Sequence, residues 1–255
     1  MTNLGKINKM QTSIKDKVAI ITGASKGIGR ETAILLSNEG CNVVVNYNKS
    51  KDKAEETKSM LNKNSDSIIV KADVSKPEEC KKLIEASVKK FKKIDILVNN
   101  AGINPPTNLE ATTEEIFNMI MDVNVKGTYF CTKHAVPHMK EHSKIINISS
   151  IRAFRSRPNM AVYEAAKAAI TSLTRSLAFE LAPKKINVNA VAPGYTDTDM
   201  MKVLPSEILE TLKSTVPFKR FGTPQEVAQV ILFLSSPQSD YITGQTLPID
   251  GGYLT

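Results

Sequence analysis

Seven short runs rich in β-branched residues recur along the chain, at 18–22, 42–46, 67–71, 94–98, 144–149, 187–191 and 245–249. Six longer amphipathic stretches lie between them, one in each interval, at 27–38, 51–62, 77–91, 113–140, 161–181 and 224–234. Strands separated by helices cannot pair as hairpins and are joined by crossovers, so the sheet is parallel. Its strands are apolar throughout, which means cover on both faces. With right-handed crossovers the expected architecture is α/β and doubly wound, with ligands bound beyond the carboxyl ends of the strands.

A chain of 255 residues with 41% hydrophobic content suits one domain, expected over 17–255, with 1–16 as a flexible N-terminal extension. No apolar run approaches the roughly 20 residues of a membrane span, and 1–16 lacks the apolar block of a secretory signal. Cys41, Cys80 and Cys131 are scattered and odd in number, which fits a reducing cytoplasm and no disulfide framework. His134, His138 and His142 recur every four residues, but no carboxylate pattern accompanies them and Pro137 interrupts the run. They read as a solvated face, and no metal is expected. The net charge of +8 is spread over helix faces without aromatic residues between, so nucleic acid is not the expected partner.

After the first strand comes Thr22-Gly23-Ala24-Ser25-Lys26-Gly27-Ile28-Gly29, running into a helix. Glycines at 23, 27 and 29 allow a tight turn and let a pyrophosphate reach backbone amides at a helix N-terminus. The strand–turn–helix context makes dinucleotide binding the expected role. An NAD-selective site would place a carboxylate about twenty residues on, against the adenosine ribose. This chain has Asn46-Tyr47-Asn48-Lys49-Ser50 there. Without an acid, and with Lys26 and Lys49 able to meet a 2′-phosphate, NADP(H) is favoured over NAD(H).

Tyr163 and Lys167 stand one helical turn apart. A phenol near pH 10 is a poor acid–base at neutral pH, and a neighbouring ammonium would lower its pKa. Thirteen residues before the tyrosine, Ser150 closes a strand, where its hydroxyl can hydrogen-bond a substrate oxygen.

Taken together, residues 17–253 resemble the short-chain dehydrogenase/reductase family. The likeness rests on the glycine turn, Asp73-Val74, Asn99-Asn100-Ala101-Gly102, Asn124, Ser150, Tyr163 with Lys167, and Pro193-Gly194. It implies a single-domain Rossmann fold, a seven-stranded parallel sheet with three helices on each face. It also implies a tetrad in which Tyr163 is the acid–base and Lys167 lowers its pKa and holds the nicotinamide ribose. Ser150 would polarise the carbonyl and Asn124 would hold a water in a proton relay. By the same resemblance Asp73 and Val74 contact adenine, and Asn100, Ala101 and Gly102 line the cofactor floor. Pro193, Gly194, Thr196 and Thr198 meet the nicotinamide end. The long helices resemble the family's dimer-forming pair, which implies a homotetramer.

Within the family the chain looks most like 3-oxoacyl-acyl-carrier-protein reductases, through 188–194, 198–200, 221–228 and 243–252, segments shared with sugar and polyol dehydrogenases. The leading expectation is therefore an NADP(H)-dependent reductase of 3-oxoacyl thioesters, acting on a small or carrier-bound acyl substrate. The alternatives are an NAD(P)-dependent sugar, polyol or sugar-acid dehydrogenase and a cofactor-sensing protein without turnover. Lys140, Lys144, Lys184 and Lys185 offer positive charge for an acidic carrier protein, with Glu141 among them. Arg152, Arg155 and Arg157 stand where such reductases carry small residues. Arg152 and Arg157, with Met200, are candidate substrate contacts, the arginines as a clamp for a carboxylate or phosphate. The segment 199–216 is apolar and reads as a substrate lid.

Overall fold

The computed structural model describes residues 13–105, 107–199, 201 and 205–255. Seven parallel strands form one sheet: β1 Val18–Ile21, β2 Asn42–Tyr47, β3 Ser67–Lys71, β4 Ile96–Asn99, β5 Lys144–Ile148, β6 Asn187–Pro193 and β7 Thr246–Ile249. Their order is β3-β2-β1-β4-β5-β6-β7. The helices are α1 Gly27–Asn38, α2 Lys51–Ser59, α3 Pro77–Phe91, α4 Glu114–Met121, α5 Gly127–Ala135, α6 Ala161–Leu181, α7 Ser206–Thr215 and α8 Pro224–Ser235.

Each strand sends alternate side chains to opposite faces. Ala19, Ile21, Val43, Val45, Ile96, Val98, Ile146 and Ile148 pack with Ala33 and Leu36 of α1, Ala54 of α2 and Val227 and Ile231 of α8. Ile20, Val44, Leu97, Ile145 and Val188 pack with Leu83 of α3, Cys131 of α5 and Leu177 of α6. Three helices therefore cover each face, as expected. Ile14 joins the first of these clusters, so packing against the body already begins there. All three cysteines are buried and free. Among the described residues no helix is long and apolar enough to cross a membrane, and no group of His, Cys, Asp or Glu could hold a metal.

The stretch read as one helix over 113–140 is divided. Asp122–Lys126 is a π-helical turn between α4 and α5, and Val136–His138 is a 3-10 turn at Pro137. Gly127 allows a close approach at this joint, since a Cβ there would lie 2.9 Å from the Val74 carbonyl oxygen. Within the segment 199–216, read as a lid, Ser206–Thr215 forms the helix α7. Thr113 caps α4 through its side chain, but Ser75 does not cap α3; its hydroxyl donates to Asp73 instead.

The direction of the strand order reverses between β1 and β4. The crevice beyond their carboxyl ends is where a doubly wound sheet takes its ligand.

Candidate active site

The glycine turn lies at the end of β1. Gly23 and Gly27 have φ of 63° and 58°, the left-handed region that favours glycine. A Cβ on Gly23 would lie 2.9 Å from Ala101 Cα, and one on Gly29 2.5 Å from Asn100 Nδ2. Ile28 packs on the core, and α1 starts without a side-chain cap or an acidic first turn. Its leading amides are therefore suited to a phosphate.

Residues outside the turn hold it. Asn46 Oδ1 accepts from the Gly23 N–H at 3.0 Å, while its Nδ2 donates to the Val70 and Ala72 carbonyls. Both ends of the buried Asn46 amide are engaged within the fold, so it shapes the turn. Asn100 Nδ2 donates to the carbonyls of Thr22 and Gly23, and Thr22 Oγ1 accepts from the N–H groups of Asn100 and Ala101. Arg30, which the motif reading missed, donates to the Ser25 carbonyl at 2.8 Å and pairs with Glu56 through both terminal nitrogens. Nothing in the local sequence marks Arg30, because its side-chain partners, Glu56 and Thr57, come from α2.

Tyr47 is buried. Asn48 and Lys49 instead join Lys51 and Lys71 around a surface pocket of ≈ 380 Å³ whose other wall is Tyr47. Asn48 also hydrogen-bonds the half-buried Asp73 carboxylate, and Val74 is buried beside Gly127. The Lys26 ammonium faces Asp199 at 3.9 Å, and Lys53 faces the same carboxylate at 3.5 Å. These contacts are exposed and contribute little to stability.

Beyond β5 and β4 lie the groups with chemistry. The Ser149 hydroxyl turns into α6, where it meets the Lys167 carbonyl and the Thr171 hydroxyl at 3.0 Å each. Ser150 Oγ accepts from the Arg152 N–H and meets the Tyr163 phenol. Lys167 is buried; its Nζ donates to the Ile148 carbonyl at 2.9 Å and lies 5.6 Å from the Tyr163 ring centre. Burial lowers its pKa to about 8.

The phenol differs from the sequence expectation. Burial dominates and raises the Tyr163 pKa above its ordinary value, opposed by the Ser150 hydroxyl and the Arg152 charge rather than by Lys167. The reason is protonation state, since Lys167, titrating at about 8, has lost its charge before the phenol ionises.

Asn124 sits in the π-helical turn, its Nδ2 donating to the Ile103 and Ile120 carbonyls. Among the described residues its buried Oδ1 has no hydrogen-bond partner. A Cβ on Gly102 would lie 2.7 Å from that oxygen and 3.3 Å from Lys167 Nζ. The two polar atoms thus flank a space that only a glycine leaves open.

From the other side, Pro193 ends β6, and Gly194 lies so close to Asp250 that a Cβ would be 2.8 Å from its Cα. Thr196 is buried, and the methyl of Thr198 lies over Gly27. Arg152 is buried, Arg155 exposed and Arg157 between the two. Met200 lies outside the described residues.

The glycine cradles and the orphaned Asn124 oxygen fit a bound dinucleotide, and the serine–tyrosine–lysine group beside them fits proton transfer to a carbonyl oxygen. Fold and site together are those of a nicotinamide-dependent oxidoreductase. The family model described as Enoyl-(Acyl carrier protein) reductase matches residues 23–254, and the chain belongs to the short-chain dehydrogenase/reductase family.

It is an oxidoreductase acting on CH–OH/C=O groups with an NAD(P) cofactor. The chain is 40% identical to a Staphylococcus epidermidis 3-oxoacyl-(acyl-carrier-protein) reductase over 93% of its own length and 98% of that protein. It is also 40% identical to a Thermotoga maritima protein of the same name, covering 94% and 98%. A Burkholderia cenocepacia short chain dehydrogenase solved in complex with NADP superposes with a TM-score of 0.92 at 31% identity, covering 95% of this chain and all of that one.

Proposed function

We propose that this protein is an NADP(H)-dependent reductase of 3-oxoacyl thioesters, of the kind presented by an acyl carrier protein. The observation that carries this reading is the Ser150 hydroxyl set against the Tyr163 phenol above buried Lys167, in a chain 40% identical to reductases of that name.

The cofactor supplies a hydride. Ser150 hydrogen-bonds the carbonyl oxygen and orients it toward Tyr163. As negative charge develops on that oxygen, the phenol donates its proton. A phenol raised in pKa is fully protonated at neutral pH, which suits the reductive direction. Lys167 Nζ and Asn124 Oδ1 hold the ribose and a relay water in the space beside Gly102. Asn48, Lys49, Lys51 and Lys71 take the 2′-phosphate, and Lys26 contributes on exchanging Asp199 for it. Asp73 and Val74 meet the adenine, with Asn100, Ala101 and Gly102 as floor. Pro193, Gly194, Thr196 and Thr198 close the nicotinamide end.

Of the lysines read as a carrier-docking patch, two are withdrawn from it. Lys144 is buried against Asp240 at 2.6 Å, and Lys185 pairs with Glu141 at 3.1 Å. Lys140 and Lys184 remain. Exposed Phe117 on α4, Tyr129 on α5 and Phe179 on α6, the last 88% exposed, support a homotetramer built on these helices. A monomer in light scattering at micromolar concentration would refute it. The buried free thiols agree with a cytoplasmic location.

A second reading, a sugar-acid or polyol dehydrogenase, draws support from the arginines beside Ser150. The deciding assay follows NADPH, then NADH, consumption with acetoacetyl-CoA. Fast NADPH oxidation and slow NADH oxidation support the proposal; no oxidation of either, with turnover of a sugar acid, supports the second reading.

A further inference from the structure

Arg30 and Arg220 each lie against a carboxylate, Glu56 at 2.8 Å and Glu226 at 2.6 Å. Arg152 does not, although it is far more buried, with 6% of its surface exposed. Among the described residues no carboxylate forms an ion pair with the guanidinium of Arg152, Arg155 or Arg157; Glu164 Oε1 accepts only from the Arg157 backbone N–H, at 2.6 Å. The Arg152 side chain is instead held by neutral groups. Its Nη1 donates to the Arg155 carbonyl at 3.0 Å, and its Nη2 donates to the hydroxyls of Tyr195 and Tyr253 at 3.1 and 3.0 Å. The guanidinium lies 5.5 and 5.2 Å from the centres of those two rings. Arg155 extends the cluster, 4.6 Å from the Tyr253 ring centre and donating to the Tyr253 carbonyl.

Neutral oxygens satisfy N–H groups but leave the charge uncompensated. A buried unpaired cation is unfavourable unless something else requires it. Three of the five N–H donors of Arg152 are used by described residues, so two are open to a further acceptor.

The position of the cluster says what kind of acceptor. Tyr195 follows β6 and Tyr253 follows β7, while Ile151 and Tyr253 pack with Val216, the residue that ends α7. None of these elements belongs to the glycine turn, so the charge does not serve the cofactor phosphates. The Arg152 N–H donates to Ser150 Oγ, and its charge reaches the Tyr163 phenol. The guanidinium therefore stands on the substrate side, a few atoms from where the carbonyl reacts.

We propose that Arg152, held by Tyr195, Tyr253 and Arg155, anchors an oxyanion of the substrate, a carboxylate or phosphate joined to the reacting carbonyl by a short spacer. This rests on the reading of Ser150, Tyr163 and Lys167 as a carbonyl-reducing site. It narrows the substrate to an oxo compound with an acidic end, whether a free oxo acid, an oxo phosphate or an acyl group carrying a terminal acid.

The test compares matched probes on the holoenzyme: levulinate against 2-pentanone, and dihydroxyacetone phosphate against dihydroxyacetone. The expected result is a kcat/KM preference of about tenfold or more for at least one anion over its neutral partner. Which pair shows it separates carboxylate from phosphate. Arg152→Gln should reduce that preference about tenfold, chiefly through KM, and Arg152→Lys should retain part of it. Equal turnover of neutral and anionic probes, or a preference untouched in both variants, overturns the anchor and leaves the reductase reading standing. If no probe is turned over, calorimetric titration of the NADPH-loaded protein with levulinate and inorganic phosphate decides. Binding lost in Arg152→Gln and partly kept in Arg152→Lys supports the anchor, and absence of binding overturns it; the reductase reading stands or falls separately, on acetoacetyl-CoA turnover.

Discussion

The two ends of the crevice are built on opposite electrostatic plans. At the glycine turn, Asn46, Asn100, Thr22 and Arg30 satisfy one another and the backbone, and Arg30 has its carboxylate in Glu56. At the far end Arg152 is buried among tyrosine hydroxyls and a carbonyl, and among the described residues no carboxylate pairs with it. At one end the side chains that shape the turn are paired before a ligand arrives, and only the leading amides of α1 are left for it. The other holds a charge that a ligand is expected to complete. The difference separates the part of the site that serves a shared cofactor from the part that selects a substrate.

Substitutions at the two ends should accordingly fail in different ways. The largest effect is expected between them: Tyr163→Phe removes the proton donor and should lower turnover by roughly 10²- to 10⁴-fold. NADPH affinity, measured by fluorescence titration, should hold within a few-fold. Comparable loss of both would show that the phenol is part of the cofactor end.

Asn46→Ala should act on stability first. It strips partners from the Gly23 N–H and the Val70 and Ala72 carbonyls, each costing about 1–3 kcal/mol when left unsatisfied in the interior. Urea unfolding should show a loss of that order together with weaker cofactor binding. Unchanged stability would mean that the turn does not depend on this brace.

The pH dependence should be more modest. Lys167, lowered to about 8, carries its ammonium below that pH and loses it above, whereas the raised Tyr163 phenol stays protonated across the same range. Reduction should therefore hold steady below about pH 8 and decline as pH rises through it, while alcohol oxidation, which needs the phenolate, gains with pH. A reduction rate that stays level well above this point would remove the ammonium from the mechanism.

The smallest effect is expected at the adenosine end. Lys49→Ala with Lys71→Ala removes two of three lysines around one pocket and should reduce the preference for NADPH over NADH by about tenfold or less, more at low salt. No change in that ratio would move the 2′-phosphate elsewhere, with Lys26 as the next residue to vary.

Much of this was legible in the chain. The bounds of α1, α3 and α6 follow the sequence pattern, because apolar spacing and the glycine and proline signals at their starts agree with the final packing. The helix over 113–140 was not legible as four pieces, since a π-helical turn has no local sequence signature and lies where Gly127 packs closely on Val74. Lys144 reads as one surface lysine among several, yet its strand lies inside the sheet and its ammonium ends on Asp240, 96 residues away.

By itself the sequence determined the parallel sheet, the glycine turn and the set of hydroxyl, phenol and amine that makes carbonyl chemistry possible. These depend on residue type and short spacing, where neighbours along the chain are neighbours in space. Tertiary structure alone decided that Asn46 shapes the turn and that Lys167 is directed at Ile148. It alone left Arg152 buried without a countercharge among the described residues. Burial and hydrogen-bond partners are set by elements far apart in the chain, and pKa and ligand choice follow from them.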